Sequence, residues 1–256
     1  MFKNVIVRKP SKSLLEGITS APELGKPDYE KAIAQHDNYI EALKSCGVQV
    51  TILDALEEFP DSCFVEDPAI VTRECAIITR PGALTRRREI EHIIDPIKKF
   101  YDEDKIEYIK EPGTLEGGDV MMVGDTFYVG LSARTNQEGI DQLTAILDKY
   151  GMKCIAVPLE EVLHLKTGLA YLENNNLLVS GEFITKDIFK DFNKIIIPEG
   201  EEYAANCIWV NDKVIVPTGY DKVKAAVEAA GYEVINVDTS EYRKIDGGLS
   251  CLSLRF

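Results

Sequence analysis

Five times along the chain, an amphipathic helical stretch gives way to a short β-rich run, in most cases across a glycine. Residues 28–46 carry a helical pattern and lead through Gly47 into VQVTIL. Residues 85–101, with Ile90, Ile93, Ile94 and Ile97 on one face, lead into IEYI. Residues 135–150 open on TNQE, the Thr-x-x-Glu form of a capping box, and pass Gly151 into KCIAVP. Residues 185–193 precede KIIIP, and residues 221–230 pass Gly231 into YEVINVD. Between these units stand four hairpin patterns, AIVTRECAIITR, DVMMVGDTFYVGL, LAYLENNNLLVS and CIWVNDKVIVPTG. Their turns VGDT, ENNN and VNDK supply the Gly, Asn and Asp that tight turns favour. The fifth hairpin is missing, and its halves stand at the chain ends as NVIV and CLSLRF. Pairing them predicts an α/β ring of five pseudo-repeated modules, closed by the N- and C-terminal strands. The competing arrangement is a linear α/β sheet, which keeps open edges where a ring has none. No linker or low-complexity stretch interrupts the 256 residues, so residues 1–256 read as a single domain.

Composition narrows the function. The net charge of −14 disfavours nucleic acid and anionic membranes as partners and suits a small cationic ligand. No apolar run of about 18 residues is present, so no transmembrane helix is expected. MFKNVIVRKP lacks the apolar core of a signal peptide, and a cytoplasmic location is the expectation. Six scattered cysteines without a CxxC pair read as reduced thiols, most of them small buried hydrophobes. Three dispersed histidines offer no zinc motif, and no metal or cofactor is expected. The sequence leaves the oligomeric state open, a homo-oligomer included.

In a ring, equivalent points of the modules face one axis. The segment ahead of each hairpin holds, in turn, PDSCFVED with Asp61, Glu66 and Asp67; TLEGGD with Glu116 and Asp119; EVLHLKTG with His164 and Lys166; YAANC with Asn206; and KIDGGLSC with Cys251. A lone cysteine is more often a buried structural thiol, and a lone histidine between leucines a core residue. Carboxylates, a glutamate, a histidine and a cysteine at the same module position argue for one pocket instead. A thiol beside an imidazole points to covalent catalysis, with Glu116 as the group that orients His164. Unpaired carboxylates around it suit a guanidinium, whose planar fork matches carboxylate geometry.

FVEDPAIV, LEGGDV, GLSARTNQEG, LHLK, AANC and DGGLSC, in this order from about Val5 to the C-terminus, resemble the dimethylarginine dimethylaminohydrolases of the guanidine-modifying pentein superfamily. The resemblance implies a five-bladed α/β propeller and hydrolysis of Nω-methylated arginine to citrulline and an alkylamine. It implies Cys251 as nucleophile, His164 as general acid and base, and Glu116 as its orienting carboxylate. Glu66 and Asp67 match residues around the guanidinium, and Asp61 an acid near the α-amino group. Arg86 and Arg134 match the pair that anchors the α-carboxylate. Ile245 and Ile18 fall at backbone and lid contacts, with SLLEGITSAPEL as the lid. Arginine deiminases share the glycine-glycine-acid motif and the C-terminal cysteine. They usually carry an aspartate two residues after the histidine, where Lys166 stands here, which favours methylarginine over arginine. A non-catalytic propeller that binds a macromolecule is a third reading, and it predicts loss of the Cys, His and carboxylate set.

Overall fold

Each of the five modules becomes a three-stranded sheet. Strands β1 (Asn4–Arg8) and β2 (Gln49–Leu53) belong to the first. The second holds β3 (Ala69–Val71), β4 (Ala76–Ile78) and β5 (Ile106–Tyr108). The third holds β6 (Val120–Val123), β7 (Thr126–Leu131) and β8 (Lys153–Pro158). The fourth holds β9 (Leu169–Tyr171), β10 (Asn176–Val179) and β11 (Asn193–Ile196). The fifth holds β12 (Ile208–Val210), β13 (Lys213–Pro217) and β14 (Glu233–Val237). The last strand, β15 (Leu254–Arg255), returns to the first sheet. This computed structural model describes residues 1–256.

The predicted turns form where backbone sterics direct them. Asn211 and Asp212 have φ of 47° and 74°, and Gly124 has 57°. Positive φ in a tight turn matches the twist of the strands it joins, which fixes the hairpin register. In every sheet the middle strand pairs antiparallel with its hairpin partner and parallel with the strand beyond the crossover, as Val129 does with Val120 and Ala156. The terminal strands pair as expected, with Val5 opposite Arg255 and Ile6 opposite Leu254. The sheets do not join into one hydrogen-bonded barrel. They stand around a central channel of about 920 Å³, part of it open to solvent, lined from the modules in turn by Leu254 of β15, Ile70 of β3, Met121 of β6, Ala170 of β9 and Ile208 of β12. Neighbouring modules share their cores: Val5, Tyr39 and Leu43 of the first pack in one cluster with Ile208 and Ile215 of the fifth.

Three helical expectations hold with adjusted ends, at Tyr29–Ser45, Gln137–Lys149 and Asp221–Ala229. The capping box does not form. Asn136 caps the second of these helices through Oδ1 and the Gly139 N–H at 2.9 Å. Asparagine caps as well as threonine does, and Thr135 is free to turn inward. Two expected helices are corrected. Residues 85–101 hold a 3₁₀ segment, Leu84–His92, and a single turn, Ile94–Ile97. A 3₁₀ helix eclipses residues three apart, and that brings Arg86 onto Glu89 as a buried ion pair at 2.8 Å. Residues 185–193 hold only the turn Asp187–Phe189. Phe189 and Phe192 stack there with Tyr128, and this aromatic packing replaces a helical face. No helix is long and apolar enough to cross a membrane.

Candidate active site

A cleft of about 400 Å³, part of it open to solvent, lies at one end of the ring. Cys251, His164, Glu116, Asp61, Asp67, Arg86, Arg134, Ile18 and Ile245 all line it, and Glu66 does not. The geometry is built from the glycine-rich turns upward. Glu116 ends the extended run that bridges Leu115 to Arg80, and the one-turn 3₁₀ helix Gly117–Asp119 follows. A Cβ on Gly118 would stand 3.0 Å from the His164 ring, so the absent side chain is what lets imidazole and carboxylate meet.

The His164 Nε2 and Glu116 Oε2 lie 2.8 Å apart. Glu116 is fully buried, and its other oxygen accepts the Ala83 N–H at 3.0 Å and faces Arg134 Nη1 at 3.5 Å. Burial works against an imidazolium at His164. The Glu116 hydrogen bond and the Asp119 and Asp67 charges outweigh it and hold the group up at about 9. Cys251 sits half-buried at the end of the glycine-rich turn. Burial, then the charges of Glu66 and Asp67, push its thiol up to about 12. At neutral pH the empty cleft therefore pairs a thiol with an imidazolium.

The cleft carboxylates differ in their partners. Asp67 accepts from Gly118 N–H at 3.1 Å and from Arg86 Nη1 at 2.5 Å. Burial opposes its ionisation, but Arg86 wins and holds it below the usual carboxylate range. Asp61 is pushed up by burial, although Arg86 and the Ile18 N–H, at 3.0 Å from Oδ1, resist the shift. The Ile18 segment is pinned a second time where Asp246 accepts from the Ser20 N–H at 2.6 Å and from its hydroxyl at 2.9 Å. Two carboxylates thus hold the Ile18–Ser20 stretch against the cleft.

Two expectations change. Arg86 was expected to anchor a carboxylate, yet its guanidinium also bonds Glu89 and the Asp61 and Phe64 carbonyls. Of its five N–H groups only one, on Nη1, stays free, so Arg86 is chiefly a brace and Arg134 is the more available cation. Glu66 was expected at the guanidinium. Its carboxylate instead faces the central channel, where it bonds Lys166 Nζ at 2.5 Å, Ser250 Oγ at 3.0 Å and Arg255 Nη2 at 3.4 Å. Adjacent residues of an extended chain point to opposite faces, which sends Glu66 one way and Asp67 the other. Lys166, read as a missing carboxylate, is that buried partner.

Asp119, to which the TLEGGD motif assigns no role, is fully buried at the end of the glycine-rich turn. It accepts from Ser132 Oγ and Thr135 Oγ1, both at 2.7 Å, and from Leu165 N–H at 2.9 Å. It therefore ties the loop of Arg134 to the loop of His164. Asp67, Glu116 and His164 also bring their ligand-type atoms within 4.8 Å of one another. In the structure Asp67 is bonded by Arg86 and Gly118, and Glu116 by His164 Nε2 and the Ala83 N–H. All six cysteines are free thiols.

A family model described as N,N dimethylarginine dimethylhydrolase, eukaryotic, matches residues 24–252. The chain is 60% identical over 256 residues to the N(G),N(G)-dimethylarginine dimethylaminohydrolase of Pseudomonas aeruginosa, covering 100% of both chains. It is 35% identical to the protein of the same name from Streptomyces coelicolor, covering 99% of this chain and 96% of that one. The Pseudomonas structure of a cysteine-to-serine variant complexed with citrulline matches with a TM-score of 0.98, 60% identity and full coverage of both chains. A histidine-to-glycine variant captured as an adduct with S-methyl-L-thiocitrulline matches equally, at 0.98, 60% and full coverage. The N-terminal domain of ArgZ, a cyanobacterial arginine dihydrolase, matches at a TM-score of 0.86 and 20% identity, over 100% of this chain and 97% of that one, and so shares the fold.

Proposed function

The chain belongs to the dimethylarginine dimethylaminohydrolase family, and from that premise we propose that it hydrolyses Nω-methylated L-arginine, asymmetric dimethylarginine or monomethylarginine, to L-citrulline and dimethylamine or methylamine. The observation that carries the reading is the 2.8 Å His164–Glu116 pair lining one cleft with Cys251. As one catalytic domain over residues 1–256, the protein takes a small cationic amino acid as its partner and works in the cytoplasm. The excess of acids in the cleft, Asp61, Asp67, Glu116 and Asp246 against Arg86, Arg134 and His164, and the net charge of −14 support a cation, and six unpaired thiols support a reducing compartment.

The chemistry follows from the two titrations. A bound guanidinium brings positive charge beside Cys251 and offsets Glu66 and Asp67, so the thiol loses its proton to solvent as substrate binds. The thiolate attacks the guanidinium carbon, which the cleft holds in place. His164, charged at neutral pH, gives its proton to the departing amine. The C–N bond breaks and a thiouronium remains on Cys251. The now neutral His164 takes a proton from water, the hydroxide adds to the thiouronium carbon, and the C–S bond breaks; the adduct's hydroxyl proton passes to the departing thiolate, which gives citrulline and the Cys251 thiol. Of the residues lining the cleft, Asp67 serves the guanidinium, Asp61 the α-amino group and Arg134 the α-carboxylate. Incubation side by side with asymmetric dimethylarginine, monomethylarginine and arginine tests this. Citrulline with an alkylamine supports the reading, while citrulline and ammonia from arginine alone would make the enzyme a deiminase.

A further inference from the structure

Asn206, the fourth module's residue, has no role in the chemistry above. It lies just beyond the turn Glu202–Ala205 and is 9% exposed. Its Oδ1 accepts the Ser250 N–H at 2.8 Å. That bond fixes the amide, because a backbone N–H must face an acceptor. Nδ2 then points the other way, donating to the Lys166 carbonyl at 3.3 Å and standing 4.0 Å from Cys251 Sγ. The chain makes room for it: a Cβ on Gly248 would lie 2.4 Å from the Asn206 carboxamide carbon. The second glycine of DGGLSC is thus a packing requirement of Asn206.

We propose that Asn206 is a positioning residue for the nucleophile. Its carboxamide locks the Ser250 backbone to the Lys166 backbone, which fixes Cys251 against His164, and its N–H steadies the thiolate as it forms. The inference rests on reading Cys251 as that nucleophile. A neutral donor matters here because of what else faces Sγ. Glu66 and Asp67, with Asp61 on the same connection and the cleft acids Glu116 and Asp246, disfavour a further negative charge, while burial keeps the nearby Cys63 thiol and Tyr203 phenol neutral. The cations are Lys166 and Arg255, both engaged with Glu66, then His164, engaged with Glu116, and the cleft arginines Arg86 and Arg134. Asn206 adds a hydrogen-bond donor without adding charge.

The test is the rate of Cys251 alkylation by iodoacetamide against pH, read by peptide mass, with kcat, KM and melting temperature measured in parallel. N206D keeps an acceptor for Ser250 and replaces the donor with a carboxylate; N206A removes both. At about pH 8 the alkylation rate falls about tenfold in N206A, one unit of thiol pKa, and further in N206D. kcat falls with it while KM holds. An unchanged alkylation curve in both variants overturns the proposal, including when the melting temperature drops, because that is a brace without influence on the thiol. Wild-type protein that releases no citrulline from any arginine sinks the hydrolase reading instead, and the alkylation curves still decide Asn206.

Discussion

The cleft and the central channel lie back to back, separated by a wall only a residue or two thick. Glu66 faces the channel and Asp67 the cleft, and Ser250 faces the channel and Cys251 the cleft. On the channel side the charges balance: Glu66 and Glu173 stand against Lys166 and Arg255, with both cations on one Glu66 oxygen and Ser250 on the other. On the cleft side Asp61, Asp67, Glu116 and Asp246 face Arg86, Arg134 and His164, and Arg86 is shared with Glu89. Matched buried charge is architecture, since each ion's desolvation is offset at home. Unmatched charge is a vacancy for a ligand of the opposite sign. The difference separates residues that hold the wall from residues that await substrate, although both sets come from the same short motifs.

The comparison can be broken or sharpened by substitution. The largest effect belongs to Cys251→Ser, which should abolish citrulline release while melting like wild type, because a hydroxyl cannot replace the thiolate. Retained turnover would remove the covalent step. Next comes Glu116→Gln, with a loss of about 10²–10⁴ in kcat. Glu116 helps raise His164 to about 9, so the basic limb of the pH–kcat curve should also slide to lower pH. A limb that stays at its wild-type pH would mean that another group titrates there.

On the channel side, Lys166→Met leaves Glu66 without its main partner and should cost about 3–5 kcal/mol in urea denaturation, as breaking a buried pair does. The double variant with Glu66→Gln should recover most of that loss. If the single variant instead kept its stability and lost affinity for substrate, Lys166 would belong to the cleft after all. The smallest effect is on stability against pH. His164 titrates higher folded than unfolded, so its contribution is complete below about 6.5 and fades as pH rises through about 9. The difference in melting temperature between wild type and His164→Asn should shrink across that window.

Much of this was legible in the chain. Periodicity and turn chemistry determined the five modules, their hairpins and the pairing of the chain ends, because these are local preferences repeated in register. Module position named Asp61, Asp67, Glu116, His164 and Cys251 among the residues that line the cleft, since a thiol, an imidazole and carboxylates at equivalent points have few other uses; Arg86, Arg134, Ile18 and Ile245 came only with the resemblance to the family. Only the tertiary structure decided which way each residue turns. Glu66 and Asp67 are neighbours of like charge, and nothing in their sequence says that one pairs with Lys166 while the other meets Arg86. Arg86 and Glu89 pair within the 3₁₀ segment, and only the fold buries that pair against Asp67 and the Asp61 and Phe64 carbonyls. Partners at long range are chosen by geometry that exists only once the ring has closed, and that choice is what left the cleft charged and the channel neutral.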